Sequence, residues 1–97
     1  MTVNELNRDY ILNHLTAATL YEQLAEECCE LAQAALKISR NLRNENPTST
    51  SLQESVDNLV EEFSDVNNVA FILNIKSNPT IQKEKLERWV NRINNNL

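Results

Sequence analysis

The chain has 97 residues, enough for one domain at most, with 41% apolar and 24% charged residues. It contains no glycine, which excludes glycine-rich phosphate loops and removes the easiest residue for tight hairpins, so an all-β fold is disfavoured. A net charge of −5 argues against a general nucleic-acid binder, and no apolar run approaches the roughly 20 residues that span a bilayer.

The opening MTVNELNRDY is polar and does not read as a signal peptide. Val3, Leu6 and Tyr10 lie at helical spacing and predict a first helix over Val3 to His14. His14, the single histidine, reads as a surface or helix-end residue. A second helix runs to about Arg43. It starts either at the capping box Thr19-Leu-Tyr-Glu22 or further back at Thr16. Leu20, Leu24, Cys28, Leu31, Ala35, Ile38 and Leu42 recur at alternating steps of three and four, the seam of a helix that packs in a bundle. Cys28 and Cys29 are adjacent on this helix and diverge by about 100°, so they do not bridge each other. They read as small, buried or half-buried residues in a reducing cytoplasm.

The stretch NENPTSTS interrupts the pattern and reads as a mobile loop. A third helix is expected from about Leu52 to Ile75, with the stripe Leu52, Val56, Leu59, Phe63, Val66, Ala70 and Leu73. Val69, Ile72 and Ile75 make a second apolar side, which needs a second cover. KSNPT ends this helix, with Asn78 as a cap and Pro79 at the first position of a fourth helix. That helix carries Ile81, Leu86, Trp89, Val90, Ile93 and Leu97, with Trp89 expected in the core. The predicted fold is an all-α helical bundle with a long antiparallel helical hairpin of the second and third helices. The small core of one chain and the two-sided third helix call for completion by oligomerisation, as a homodimer or dimer of dimers.

Four acids stand beside these apolar stripes. LAEECCEL places Glu27 and Glu30 three residues apart, and LVEEFSDV does the same with Glu62 and Asp65. Residues three apart on a helix point within about 60° of each other. Glu27 borders the seam of the second helix with Glu30 just outside it, and Glu62 and Asp65 flank the seam of the third. In an antiparallel hairpin all four can meet. Four converging carboxylates repel one another and must take up protons or a cation. An oxygen-only ligand set suits a hard ion, Mg²⁺ or Mn²⁺. A single E-x-x-E is common on solvated helix faces, whereas two on partner helices are much rarer by chance. Glu26 is a modest candidate to support the site, and Glu61 reads mostly as solvated.

EECCELAQAALK followed by EEFSDV resembles the E-x-x-E … E-x-x-D signature of the MazG-like nucleoside triphosphate pyrophosphohydrolases, members of the all-α NTP pyrophosphatase superfamily. The resemblance covers the second and third helices; elsewhere it extends only to helix order. It implies that residues 1–97 are a single domain of this type, that Glu27, Glu30, Glu62 and Asp65 are both the Mg²⁺ ligands and the catalytic acids, and that the chain hydrolyses an NTP or dNTP to the monophosphate and pyrophosphate. A cytoplasmic enzyme with no nucleic-acid or membrane partner is expected.

Further candidates are substrate contacts. Lys37, two turns after Glu30, either reaches a phosphate or lies solvated near the helix end. Asn68 shares the flank of Asp65 and can contact sugar or base. Lys85, Arg88 and Arg92 form a stripe in KEKLERWVNR, similar to the basic C-terminal stretch of the family, and can hold a triphosphate tail; Arg88 can instead pair with Glu84. The competing reading is a non-catalytic helical interaction or regulatory protein with the same fold. A di-iron bundle would want two E-x-x-H motifs, and Ile11 stands three residues before the only histidine, so that reading fails.

Overall fold

The computed structural model describes residues 1–44, 47 and 50–96 and shows, among these, four α-helices and no strand. They are α1 (Val3–His14), α2 (Ala17–Arg43), α3 (Leu52–Ile72) and α4 (Pro79–Asn95). Half of the predicted NENPTSTS loop, residues 45, 46, 48 and 49, lies outside the described residues, as does Leu97. No described helix is long and apolar enough to cross a membrane.

Each helix starts on a side-chain cap that satisfies an otherwise orphaned backbone N–H. Thr2 Oγ1 accepts from the Glu5 N–H, Thr16 Oγ1 from Thr19, and Ser51 Oγ from Glu54. Thr16 is therefore the start of α2, and the Thr19 box lies inside the helix. Asn78 Oδ1 accepts from the N–H groups of both Thr80 and Ile81, with Pro79 in the first turn, as the sequence predicts.

The C-termini show how a chain without glycine turns. Left-handed backbone follows α2 and α3, at Asn44 (φ 53°) and Asn74 (φ 58°). Asparagine is the residue that best tolerates this conformation after glycine. At the end of α3 the Asn74 N–H donates to Phe71 O and the Ile75 N–H to Ala70 O, the paired bonds of a Schellman motif. The turn ends α3 at Ile72, three residues before the expected Ile75.

The main packing is between α2 and α3. Asn41, in the last turn of α2, donates from Nδ2 to Oγ of Ser55, in the first turn of α3, at 2.7 Å. Thr50 Oγ1 lies 3.2 Å from the same Ser55 oxygen. α1 packs on the other end of α3, where Arg8 Nε donates to the carbonyls of Phe71 and Ile72, both at 3.1 Å. A guanidinium at a helix C-terminus answers both the unpaired carbonyls and the negative end of the helix dipole.

Among the described residues, the buried ones are Leu20, Ala34, Val69 and Ile72, with Ser55 as the buried polar member. On α2, Leu20, Leu24, Glu27, Leu31, Ala34, Ile38, Ser39 and Asn41 are the residues withdrawn from solvent. The expected seam is thus turned: Cys28, Ala35 and Leu42 are exposed, and Glu27 occupies the packed line rather than its border. On α3 the withdrawn line includes Ser55, Leu59, Glu62, Val66, Val69 and Leu73, while Val56 and Phe63 face outward. Cys28 and Cys29 are both free and exposed, against the expected burial. The reason is the same: polar residues hold places in the seam, which moves part of each apolar stripe outside.

α4 makes no extended contact with the other helices, and each of its described residues is exposed, Trp89 included. The radius of gyration is accordingly 17.5 Å, against about 13 Å for a compact chain of this length.

Candidate metal centre

Glu27 and Glu30 lie near the middle of α2, Glu62 and Asp65 near the middle of α3. Each offers one carboxylate oxygen, and these four oxygens all lie within 4.8 Å of one another. The three-residue spacing on each helix aims both acids of a pair to one side. Packing of α2 on α3 then closes the two pairs into one cluster.

Glu27 and Glu62 are the inner members, partly buried in the seam, and Glu30 and Asp65 are the exposed outer ones. Glu27 Oε1 accepts from Gln23 Nε2 at 2.7 Å. The other oxygens, Glu27 Oε2 and Glu62 Oε2, are shut off from solvent with no hydrogen-bond partner among the described residues. A buried carboxylate oxygen without a donor is costly, because desolvation is not offset by any bond.

The electrostatics express the same conflict. Burial pushes the Glu27 carboxyl above its ordinary value of 4.5; the Gln23 amide opposes this, and the charges of Glu30 and Asp65 add to it. Glu30 is also raised, first by the hydrogen bond it shares with Glu62 and then by the Glu62 charge. No basic side chain contributes to either shift.

The donor set fits a hard divalent cation. All four ligand atoms are carboxylate oxygens on rigid helices, and two buried oxygens lack any protein donor.

The other candidates lie elsewhere. Lys37 is exposed on α2, further along than the cluster. Asn68 is exposed one turn after Asp65 and lines a groove between α1 and α3 with Tyr10, Ile11 and Phe71. Lys85, Arg88 and Arg92 do form one stripe, and together with Asn91 they line a shallow groove on α4. Arg88 makes no pair with Glu84 among the described contacts. Glu26 and Glu61 are exposed and outside the cluster. His14 is exposed in the last turn of α1, its ring stacked on Tyr10 with centroids 4.0 Å apart. Gln23 was legible only as the residue one turn before Glu27, and nothing in the acid spacing marks it. Compared with known proteins, the chain matches no family model, no curated protein and no solved structure.

Proposed function

We propose that the chain is a Mg²⁺-dependent nucleoside triphosphate pyrophosphohydrolase of the MazG-like kind, converting an NTP or dNTP to the monophosphate and pyrophosphate, with Mn²⁺ as an alternative ion. The observation that carries this reading is the convergence of Glu27, Glu30, Glu62 and Asp65 with two partnerless buried oxygens. Glu27 and Glu62 would hold the ion from within the seam, and Glu30 and Asp65 from its open edge. A divalent ion bound there supplies neutralisation of phosphate charge and acidification of water. The carboxylates would fix its position on two stiff helices, and an outer carboxylate, Glu30 or Asp65, would take a proton from the attacking water. Without glycine the chain has no backbone cradle for phosphates, so cationic contacts must replace it; Lys37, Lys85, Arg88 and Arg92 are the candidates for the phosphate chain and Asn68 for sugar or base.

The same reading takes α2 and α3 as a long antiparallel hairpin, completed by a second chain as a homodimer or dimer of dimers in the cytoplasm. The five buried residues among those described are a small core, and domains of this size depend on burying more. A screen of all nucleoside triphosphates with Mg²⁺ or Mn²⁺, read as pyrophosphate release, tests the activity. Release is expected for at least one nucleotide and is expected to vanish in Glu62→Gln. Silence across the whole screen from folded, metal-loaded protein contradicts it.

The second reading, a non-catalytic helical interaction protein, is favoured by one observation: α4 presents an amphipathic surface that no other described element covers. Mg²⁺-dependent thermal stabilisation separates the two, since a plain scaffold has no reason to respond.

A further inference from the structure

The uncovered faces of α4 and α3 match each other. On α4, Leu86, Trp89, Val90 and Ile93 follow the i, i+3, i+4, i+7 pattern of a packing stripe. All four are more than half exposed. Lys85, Arg88 and Arg92 run along one flank of that stripe at steps of three and four. On α3, Val56, Val60 and Phe63 form a second exposed stripe on the side turned away from the α2 seam. Its flank carries Asp57 and Glu61, four residues apart and both exposed. One apolar stripe is thus edged with cations and the other with anions.

We propose that α4 docks on the outward face of α3 in a second copy of this chain, by reciprocal exchange. This rests on the paired-chain reading above. α4 lies off its own helices, so the complementary stripe it can reach is a partner's. Every copy carries both surfaces, so one two-fold arrangement satisfies both exchanges at once and closes on itself. Leu86, Trp89, Val90 and Ile93 cover Val56, Val60 and Phe63, while Arg88 and Arg92 meet Asp57 and Glu61, which leaves Lys37 and Lys85 as the candidates for the phosphate chain. Apolar contact supplies the affinity, and the charged rims set register and direction. The exchange also adds the outward side of α3 to a core that one chain cannot fill.

Trp89 is the single tryptophan, so its fluorescence reports on α4 alone. The full chain is followed through a dilution series by light scattering and by acrylamide quenching of Trp89, with far-UV circular dichroism as a check of folding. The expected result is a multi-chain mass with blue-shifted Trp89 emission that is several-fold protected from quencher, both lost together on dilution. Arg88→Glu with Arg92→Glu is expected to give folded monomers with open Trp89, and adding Asp57→Lys with Glu61→Lys to restore both signals. Val90→Glu, which leaves the basic stripe intact, is expected to give the same loss through the apolar contact. A multi-chain mass that survives all these changes with Trp89 still open overturns the α4 docking while the paired-chain reading stands. A monomer at every concentration overturns both. Protection of Trp89 in a monomer only on adding anionic lipid vesicles also overturns the docking, in favour of a lipid surface.

Discussion

At the residue scale the decisive feature is two glutamates placed where the helices pack. Glu27 and Glu62 occupy seam positions that an apolar residue would fill at lower cost. Without a cation this placement works against the fold, so removing charge should help it. Glu27→Gln nearly keeps the shape, and the metal-free melting temperature should hold or rise by a few degrees. Mg²⁺ affinity should fall by about tenfold or more, since loss of a supporting partner alone has that effect at metal sites; isothermal titration with Mg²⁺ measures it. If the variant unfolds while surviving protein binds metal normally, the acid is structural. The pH dependence follows from the raised values of Glu27 and Glu30. Folded protein then holds more protons than unfolded protein between the ordinary value of 4.5 and the raised ones. Their contribution to metal-free stability therefore declines as pH rises through that window. Thermal melts of chelator-treated protein should show this fall, and saturating Mg²⁺ should reverse it, because binding requires the deprotonated acids. A metal-free stability that rises with pH in Glu27→Gln and wild type alike would assign the trend to other groups. The acid spacing was readable in the sequence because helical geometry fixes it. The partnerless oxygens were not, because they depend on how deeply the two helices close.

At the scale of the elements, helix identity and most boundaries were legible, since the cap residue Asn78 and Pro79 after it carry their reason with them. The seam register was not. A hydrophobic count along α2 and α3 mixes the inward line with the outward one, and it passes over Glu27, Asn41, Ser55 and Glu62 because they are polar. Ser55 shows what such a residue does. Its side chain is 2% exposed, and it accepts from Asn41 across the α2–α3 contact. Ser55→Ala leaves the Asn41 amide without that acceptor in a half-buried place. It should destabilise by about 1 to 3 kcal/mol, read as a lower denaturation midpoint with unchanged slope. A change within error would mean that solvent reaches Asn41 freely. The end of α3 was missed by three residues because the apolar pattern continues through Ile75, while the chain turns at the left-handed Asn74.

At the scale of the whole molecule, an acid-lined helix pair and a detached fourth helix describe a chain that leaves many of its large apolar side chains exposed. The all-helical class was plain from the absence of glycine and the long periodic stripes. That α4 stands apart was hidden, because its stripe is as regular as that of a core helix and a periodicity cannot say whether the stripe is covered. The central claim is chemical: water attacks a nucleotide at a metal-loaded quartet and releases pyrophosphate as one leaving group. Two rigid helices would set where that water stands relative to the phosphate chain, which is what decides the bond that breaks. The direct measurement is to incubate the protein, Mg²⁺ and its best nucleotide in ¹⁸O-labelled water and analyse the first products. The account predicts monophosphate and pyrophosphate, with the label in the monophosphate, marking attack at the α-phosphorus. Orthophosphate and a nucleoside diphosphate as first products, abolished by Glu62→Gln, would contradict it: the quartet would then serve a different phosphate reaction.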